Sequence, residues 1–270
     1  MTTGKGSPFL EILASALNED YRFPILEVFA FLYVLGTFAF ASFSSATSTN
    51  VTSEYVAYTV TSSLLGALVF IFMILVFKNV AYGLGSDIEK GTIQTYFSYP
   101  LKRRSILSAK LLSALGVSLA LFLGVQISSL YMLAPDVVAP YFGTVLLTYA
   151  ASLSYPLLIA GLILLVALVL KRGGLALVLG IVFYFAFGII QNLVMSISLA
   201  TNSFLGLQIM SLFSPNLALN LYYQFSGIPG WSGPWIPSFT DALIYIGASY
   251  AIVLSVFLLG YFYFSRRMNL

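Results

Sequence analysis

The sequence contains no cysteine and no histidine, and only 8% of its 270 residues are charged. Without these residue types it offers no disulfide, no thiolate nucleophile, no Ser–His pair and no zinc or haem site with the usual ligands. Soluble domains carry roughly 45–50% apolar and about 25% charged residues. At 60% apolar residues, this chain is neither a soluble enzyme nor a disordered segment. The composition predicts a membrane protein that performs no covalent chemistry itself.

Six stretches of the sequence are apolar over the roughly 20 residues that a helix needs to cross a bilayer. They cover residues 23–43, 56–82, 106–133, 144–170, 175–195 and 242–264. The predicted fold is therefore all-α, with a six-span membrane domain over residues 22–270 and a separate N-terminal segment over residues 1–21.

The basic residues predict the orientation of these spans. All 12 lie before the first span, in or beside the second-to-third connection, in the fourth-to-fifth connection, or in the tail. The other three connections contain Glu54, Asp136 and Asp241 and no Lys or Arg. Because Lys and Arg favour cytoplasmic loops, both termini are predicted to be cytoplasmic. The expected location is the plasma membrane of a prokaryotic cell.

A further apolar stretch, residues 204–213, has about ten residues and is too short to cross. Counting it as a seventh span would place Arg266 and Arg267 outside, against the charge pattern. We therefore predict a short re-entrant or interfacial helix on the external side, before the last span.

The N-terminal segment has the spacing of an amphipathic helix over residues 7–18. Ser7 suits the N-cap position and Pro8 suits the first helical position. The apolar residues fall on one face at helical spacing: Phe9, Ile12, Leu13, Ala16 and Leu17. Such a helix is predicted to lie along the cytoplasmic interface of the membrane. The alternative is an ordinary helix that packs against the bundle.

The connection at residues 87–110 (DIEKGTIQTYFSYPLKRRSILSAK) carries seven of the chain's 21 charges in 24 residues. Residues 88–97 are predicted to form a short helix with Ile93, Tyr96 and Phe97 on one side. Pro100 ends it, because the residue before a proline avoids the α region. A helix that presents aromatic side chains suits a groove on a partner protein. The alternative is a loop whose basic residues at 102–104 meet anionic lipid headgroups.

This segment resembles the cytoplasmic loop of the type-2 (export-type) ATP-binding-cassette (ABC) transporter permease family. In that family an acidic residue and a Gly-Thr pair precede an apolar helix, and a proline, two basic residues, an apolar pair and a lysine follow. The matching positions here are Glu89, Gly91, Thr92, Pro100, Arg103, Arg104, Ile106, Leu107 and Lys110.

The resemblance extends in layout to the six spans, the N-terminal interfacial helix and the short external helix. Residues 212–216 (LFSPN) are similar to a Ser-Pro element that is often found there. One departure concerns the N-terminal helix, which often carries several basic residues in the family. Here it carries the acidic residues Glu11, Glu19 and Asp20.

The resemblance implies a permease subunit of an ATP-driven exporter. Two permease subunits, as a homodimer or heterodimer, would pair with two nucleotide-binding (ATPase) subunits. The loop helix, at about residues 88–99, would be the coupling helix, seated in a cleft of the ATPase subunit. The chain has no G-x-x-x-x-G-K-[ST] loop, so ATP and Mg are expected in the partner subunit. No enzyme activity, cofactor, metal or nucleic-acid partner is expected for this chain.

Two other classes of function stay open. The chain is alternatively a non-transporting membrane anchor or assembly subunit of a larger membrane complex. A secondary transporter is a further reading, but it requires ionisable residues at mid-membrane, and the sequence offers few.

Three residues outside the loop also carry predictions. Glu27 and Lys78 lie about one turn inside the first and second spans, at similar predicted depth, so we expect an intramembrane ion pair. Otherwise each side chain extends to the interface. Asn50 begins the glycosylation sequon Asn50-Val51-Thr52 on the predicted external side.

Overall fold

The computed structural model describes residues 8–43, 53–93, 95, 102–225 and 235–266. These residues form helices and turns, with no strand among them, which confirms the all-α prediction. The helices are α1 (Pro8–Asp20), α2 (Ile25–Phe43), α3 (Ser53–Val80), α4 (Asp87–Glu89), α5 (Arg103–Leu111), α6 (Ser118–Leu133), α7 (Pro135–Val138), α8 (Phe142–Leu170), α9 (Gly173–Thr201), α10 (Leu205–Phe213), α11 (Asn216–Phe225) and α12 (Phe239–Arg266). Two π-helical segments, π1 (Ala81–Ser86) and π2 (Leu112–Val117), join α3 to α4 and α5 to α6.

Five helical stretches are long and apolar enough to cross a bilayer: Leu68–Glu89, Arg103–Leu133, α8, α9 and α12. The second to sixth predicted spans each fall on one of them. Helices α1 and α2 pass the same test only together, and they are bent by 61° at the break between them. The described part of the chain therefore has five such helices, or six if the bent pair counts as one, as expected of a polytopic membrane protein.

The second span is longer than the sequence predicts. Its helical rod continues from α3 through π1 and α4 as far as Glu89. Gly91 ends the rod: its φ is +73°, a conformation that costs glycine little, and its N–H donates to the Ile88 carbonyl at 3.2 Å. The loop helix predicted to begin at Ile88 therefore begins later, because Ile88 and Glu89 belong to the rod and helical backbone resumes at Thr92.

The core of the bundle lies between α3 and α8, the most deeply buried of the long helices. The ring of Phe122, from α6, has its centroid 5.2 Å from that of Tyr33, 5.0 Å from that of Phe72 and 6.1 Å from that of Tyr149. Helices α9 and α12 pack on α8 and leave most of their apolar surface exposed. Because lipid tails are as apolar as these side chains, close packing rather than water exclusion favours association of the helices.

The short apolar stretch at residues 204–213 is helix α10, and a second short helix, α11, follows it. Ser214 and Pro215 separate the two, since Ser214 breaks the helix and its carbonyl accepts the N–H of Leu217 at 3.0 Å. Sequence reasoning did not predict α11, because Asn216, Asn220 and Gln224 interrupt its apolar pattern. The re-entrant or interfacial position of α10 stays a prediction.

Candidate functional site

Charged and hydroxyl side chains from several helices meet at the base of the predicted coupling loop, where the chain leaves α4 and returns as α5. Most of these side chains are buried, so each needs a partner within the protein. We call this group the basal cluster; it comprises Glu19 and Asp20 of α1, Lys78 of α3, Asp87 of α4, Lys110 of α5 and Ser113 of π2.

Lys110 is the centre of the basal cluster. Its Nζ lies 2.7 Å from Oδ2 of Asp87 and 2.8 Å from Oε2 of Glu19. The side chains of Lys110 and Asp87 are 4% and 8% exposed, whereas that of Glu19 is 49% exposed. A buried ammonium is stable only when opposite charge and hydrogen bonds replace its hydration. Lys110 thus joins α1, α4 and α5 through one charged group.

Asp20 occupies a narrow place between the two π-helical segments. Its Oδ2 accepts a hydrogen bond of 2.5 Å from the Ser113 hydroxyl of π2. On the other side, a Cβ at Gly83 of π1 would lie 2.9 Å from Oδ1, so glycine provides the room. Asp20 lies in α1, outside the five long helices. Burial raises its pKa to about 6, because desolvation outweighs the Ser113 hydrogen bond and the charges of Lys110 and Lys78.

The predicted ion pair between Glu27 and Lys78 does not form. Lys78 Nζ instead donates to the backbone carbonyl of Asp20 at 2.9 Å, and Glu27 is exposed. The last carbonyls of a helix lack intrahelical partners and attract cations. Lys78, which the sequence analysis predicted to pair with Glu27, therefore binds the C-terminal end of α1 instead.

Glu89 connects the loop base to the start of α9. Its Oε2 accepts a hydrogen bond of 3.3 Å from the backbone N–H of Gly173, at the helix end where negative charge is favourable. The backbones also touch nearby: a Cβ at Gly173 would lie 2.6 Å from the Ala81 carbonyl oxygen, and one at Gly85 would lie 2.5 Å from the Gly173 Cα. The α8–α9 connection therefore packs directly on π1.

The remaining loop residues occupy different environments. Ile93 is 1% exposed and joins the main core, whereas Thr92, Arg103 and Arg104 are exposed. Ile106 and Leu107 are buried on α5. Four predicted residues lie outside the described part of the chain: Tyr96, Phe97, Pro100 and Asn50.

The amphipathic face of α1 packs on the bundle. Ile12 of α1 is buried against Ile106 and Ala109 of α5, with Phe9 and Leu13 beside them. This contact agrees with the alternative that the sequence left open, while a position along the membrane interface stays a prediction. The acidic end of α1, which departs from the family pattern, supplies two members of the basal cluster.

Sequence reasoning selected Lys110 and Lys78 but missed Glu19, Asp20, Asp87 and Ser113 as their partners. The acidic pair at the end of α1 was the available signal, since adjacent carboxylates beside a buried face require a cation nearby. Within the described residues, no group of three or more Asp or Glu is placed to hold a metal ion. No protein-family model matches this chain, and no curated protein matches its sequence.

Proposed function

We propose that this chain is the membrane permease subunit of an ATP-driven ABC exporter, in which separate nucleotide-binding subunits hold ATP and Mg. One observation carries the proposal: the loop whose motif resembles that of the family has its two stems joined to each other and to two other helices of the bundle. Lys110 connects the loop stems to α1, and Glu89 connects them to α9.

The basal cluster provides the mechanical coupling that such a subunit needs. Asp87 precedes the loop and Lys110 follows it, and their side chains are 2.7 Å apart. Both stems are held together, so displacement of the loop by a closing ATPase pair moves α4 and α5 as one body. The same movement reaches α1 through Glu19 and α9 through Gly173. The ATPase then biases two global arrangements of the bundle by contacting them differently.

In this proposal α2 is the first of six spans, and the basal cluster lies at the cytoplasmic side of a prokaryotic plasma membrane. Both termini are cytoplasmic, α1 lies at the interface as well as against α5, and α10 is an external re-entrant helix. The distribution of all 12 basic residues supports this orientation. A second permease subunit completes the membrane part of the exporter.

The experiment is co-expression of the chain with its ATPase subunit, followed by purification and ATPase assays in lipid nanodiscs. We expect Glu89→Arg to uncouple the loop from α9, and deletion of residues 91–96 to remove part of the predicted docking helix. Each should lower recovery of the complex and its ATPase activity at least about tenfold, which corresponds to a loss of about 1.4 kcal/mol. The matched control is Asp136→Arg, an equal charge reversal at an exposed residue of α7, which should change neither.

Unchanged assembly and unchanged ATPase activity in both loop variants would refute the coupling role. Recovery of the chain in a membrane complex that contains no ATPase would favour an anchor or assembly subunit instead.

A further inference from the structure

A cavity of about 700 Å³ opens between α3, α8, α9 and the break between α10 and α11. Among the described residues that line it, none is Asp, Glu, Lys or Arg. Hydroxyl and amide side chains line it instead: Ser62, Ser152, Gln191, Asn192, Ser214 and Asn216. Polar side chains within membrane-spanning helices are costly unless they find partners or line a cavity, so this concentration requires a reason.

One side-chain acceptor of the cavity has no hydrogen-bond partner in the described part of the chain, and one backbone acceptor lacks its usual helical donor. Oδ1 of Asn216 is buried and accepts no hydrogen bond. Pro156 has no N–H, so it donates no helical hydrogen bond to the carbonyl of Ser152, four residues before it. An unpaired buried acceptor costs about 1–3 kcal/mol. A ligand that donates hydrogen bonds here would remove that cost.

One wall of the cavity is a fixed aromatic surface. The ring of Tyr155 is stacked against the rings of Tyr184 and Phe187, at centroid distances of 5.1 Å and 5.2 Å. Its hydroxyl donates to the Tyr184 carbonyl at 2.5 Å, which holds it in place. The aromatic rings of this wall are therefore held by one another and by a hydrogen bond.

A second cavity of about 300 Å³ adjoins the first and shares Ser62 with it. The part of its lining that the structure describes also contains no Asp, Glu, Lys or Arg, and includes Thr59, Ser63, Asn220 and Gln224. We call the two cavities together the polar trough. The α3 residues that line it run from Tyr55 to Val69, about 21 Å at the helical rise of 1.5 Å per residue.

We propose that the polar trough binds an uncharged amphipathic molecule, with hydroxyl or amide groups on an apolar body, as the substrate of the permease. That the ligand is a substrate depends on the proposed function. The binding site itself is inferred from the geometry alone. A charged ligand would lose its hydration with no counter-ion to replace it. A hydrocarbon would leave the amides unpaired. The volume is that of a typical small-molecule site, about 300–1,000 Å³.

Two glycines allow the cavity to be filled without a collision. A Cβ added at Gly66 or at Gly188, both of which line the cavity, would meet no atom within 4 Å. The same is true of Gly124 on α6 and Gly247 on α12, which do not line it. Leucine at the first pair should occupy the ligand volume, and leucine at the second pair is the matched control.

The test measures binding of three dansyl probes to the full chain in phosphatidylcholine nanodiscs by fluorescence anisotropy. The probes are N-dansyl-glucosamine (neutral), dansylglycine (anionic) and dansylcadaverine (cationic). We expect saturable binding of the neutral probe alone. Gly66→Leu, Gly188→Leu and Gln191→Leu should each weaken it at least about tenfold, the effect of one lost buried hydrogen bond or of an excluded ligand.

Gly124→Leu, Gly247→Leu and Gln208→Leu, an equal amide loss on α10 away from the trough, should keep the affinity within about twofold. The inference is overturned if no probe binds saturably, if a charged probe binds as tightly as the neutral one, or if the controls lose as much affinity as the trough variants. Each variant is first shown to be monodisperse, and the three trough variants test the site independently.

The outcome for the site is separable from the outcome for the permease. Neutral-probe binding by a chain that assembles with no ATPase would refute the exporter and leave the binding site. ATP-dependent transport of a charged molecule, without neutral-probe binding, would refute the inference and leave the exporter.

Discussion

The basal cluster and the polar trough satisfy buried polar groups in opposite ways, although the same helical rod contributes to both. At the base, Lys110 is surrounded by the carboxylates of Asp87 and Glu19 at 2.7 Å and 2.8 Å. In the trough, Asn216 and its neighbours are uncharged and surround open volume. In a low-dielectric surrounding, paired charges favour one fixed arrangement of the helices, whereas unpaired neutral groups leave hydrogen bonds for the ligand that we propose.

The space around the glycines also differs between the two regions. At the base, a Cβ at Gly85 or Gly173 would meet backbone atoms within 2.6 Å, so two elements touch there. In the trough, a Cβ at Gly66 or Gly188 would meet nothing within 4 Å. Glycine serves close backbone approach in one region and open space in the other. Four experiments test the comparison, in order of decreasing expected effect.

Lys110→Met should have the largest effect on stability. It leaves Asp87 buried without its partner, and breaking a buried ion pair costs about 3–5 kcal/mol. The measurement is thermal unfolding in detergent, followed by circular dichroism at 222 nm. Lys102→Met, at an exposed position just before α5, should change the free energy of unfolding by less than about 0.5 kcal/mol. Equal losses in the two variants would show that the basal cluster is not a joint.

Gly173→Leu and Gly188→Leu place the same side chain at two positions of α9. The first collides with π1 and should destabilise the protein by about 1–3 kcal/mol. The second enters open space and should be neutral or stabilise by up to about 1 kcal/mol, since leucine is the better helix former. Their melting temperatures in one detergent give the comparison. A larger loss from Gly188→Leu would mean that the trough is packed as tightly as the base.

Asn216→Leu should stabilise the trough by about 1 kcal/mol, because it removes a buried oxygen that has no hydrogen-bond partner. Gln208→Leu, an amide loss on α10 at a residue that does not line the trough, should leave the melting temperature unchanged. Stabilisation by Asn216→Leu together with weaker binding of the neutral probe would show that the unpaired oxygen belongs to the ligand site. Destabilisation would show that Asn216 already has a partner.

Asp20 should produce the smallest effect, and one that depends on pH. Its pKa is raised from 3.8 to about 6 in the folded protein. Protonation therefore favours folding below pH 3.8, and this contribution is lost as the pH rises through about 6. Between pH 5.5 and pH 7 the wild type should lose about 0.8 kcal/mol relative to Asp20→Asn. A stability difference between the two proteins that does not change with pH would contradict a raised pKa.

The long helices could be read from the sequence because length and hydropathy suffice for them. The α3–α4 rod was read seven residues too short, ending at 82 rather than at Glu89. The sequence places Asp87 and Glu89 as loop charges, whereas in the structure Asp87 pairs with Lys110 and Glu89 accepts a hydrogen bond from the Gly173 N–H. The break at Gly91 was not predicted either, since only its positive φ identifies it as the helix end.

The sequence predicted the loop residues of the candidate site but not their partners. The motif identified Glu89, Gly91, Arg103, Arg104 and Lys110 as a group, and the structure assigns Lys110 its partners. Helices α2 and α3 do pack on each other, but Glu27 and Lys78 do not pair. Helix α1 meets α2 at a 61° bend, and its C-terminal carbonyl at Asp20 binds Lys78 instead. Side-chain partners that are 58 to 93 residues apart leave no periodic signal in the sequence.

The sequence by itself determined that the chain is helical and apolar, where the long helices lie, and that its charges gather at one connection. Those properties follow from local composition, because a helix satisfies its own backbone and its length must match the bilayer. Only the tertiary structure decided that Glu19, Asp87 and Lys110 meet at the loop base and that uncharged polar groups surround open volume beside α3. Both depend on how distant helices pack, and packing brings together side chains that composition cannot pair.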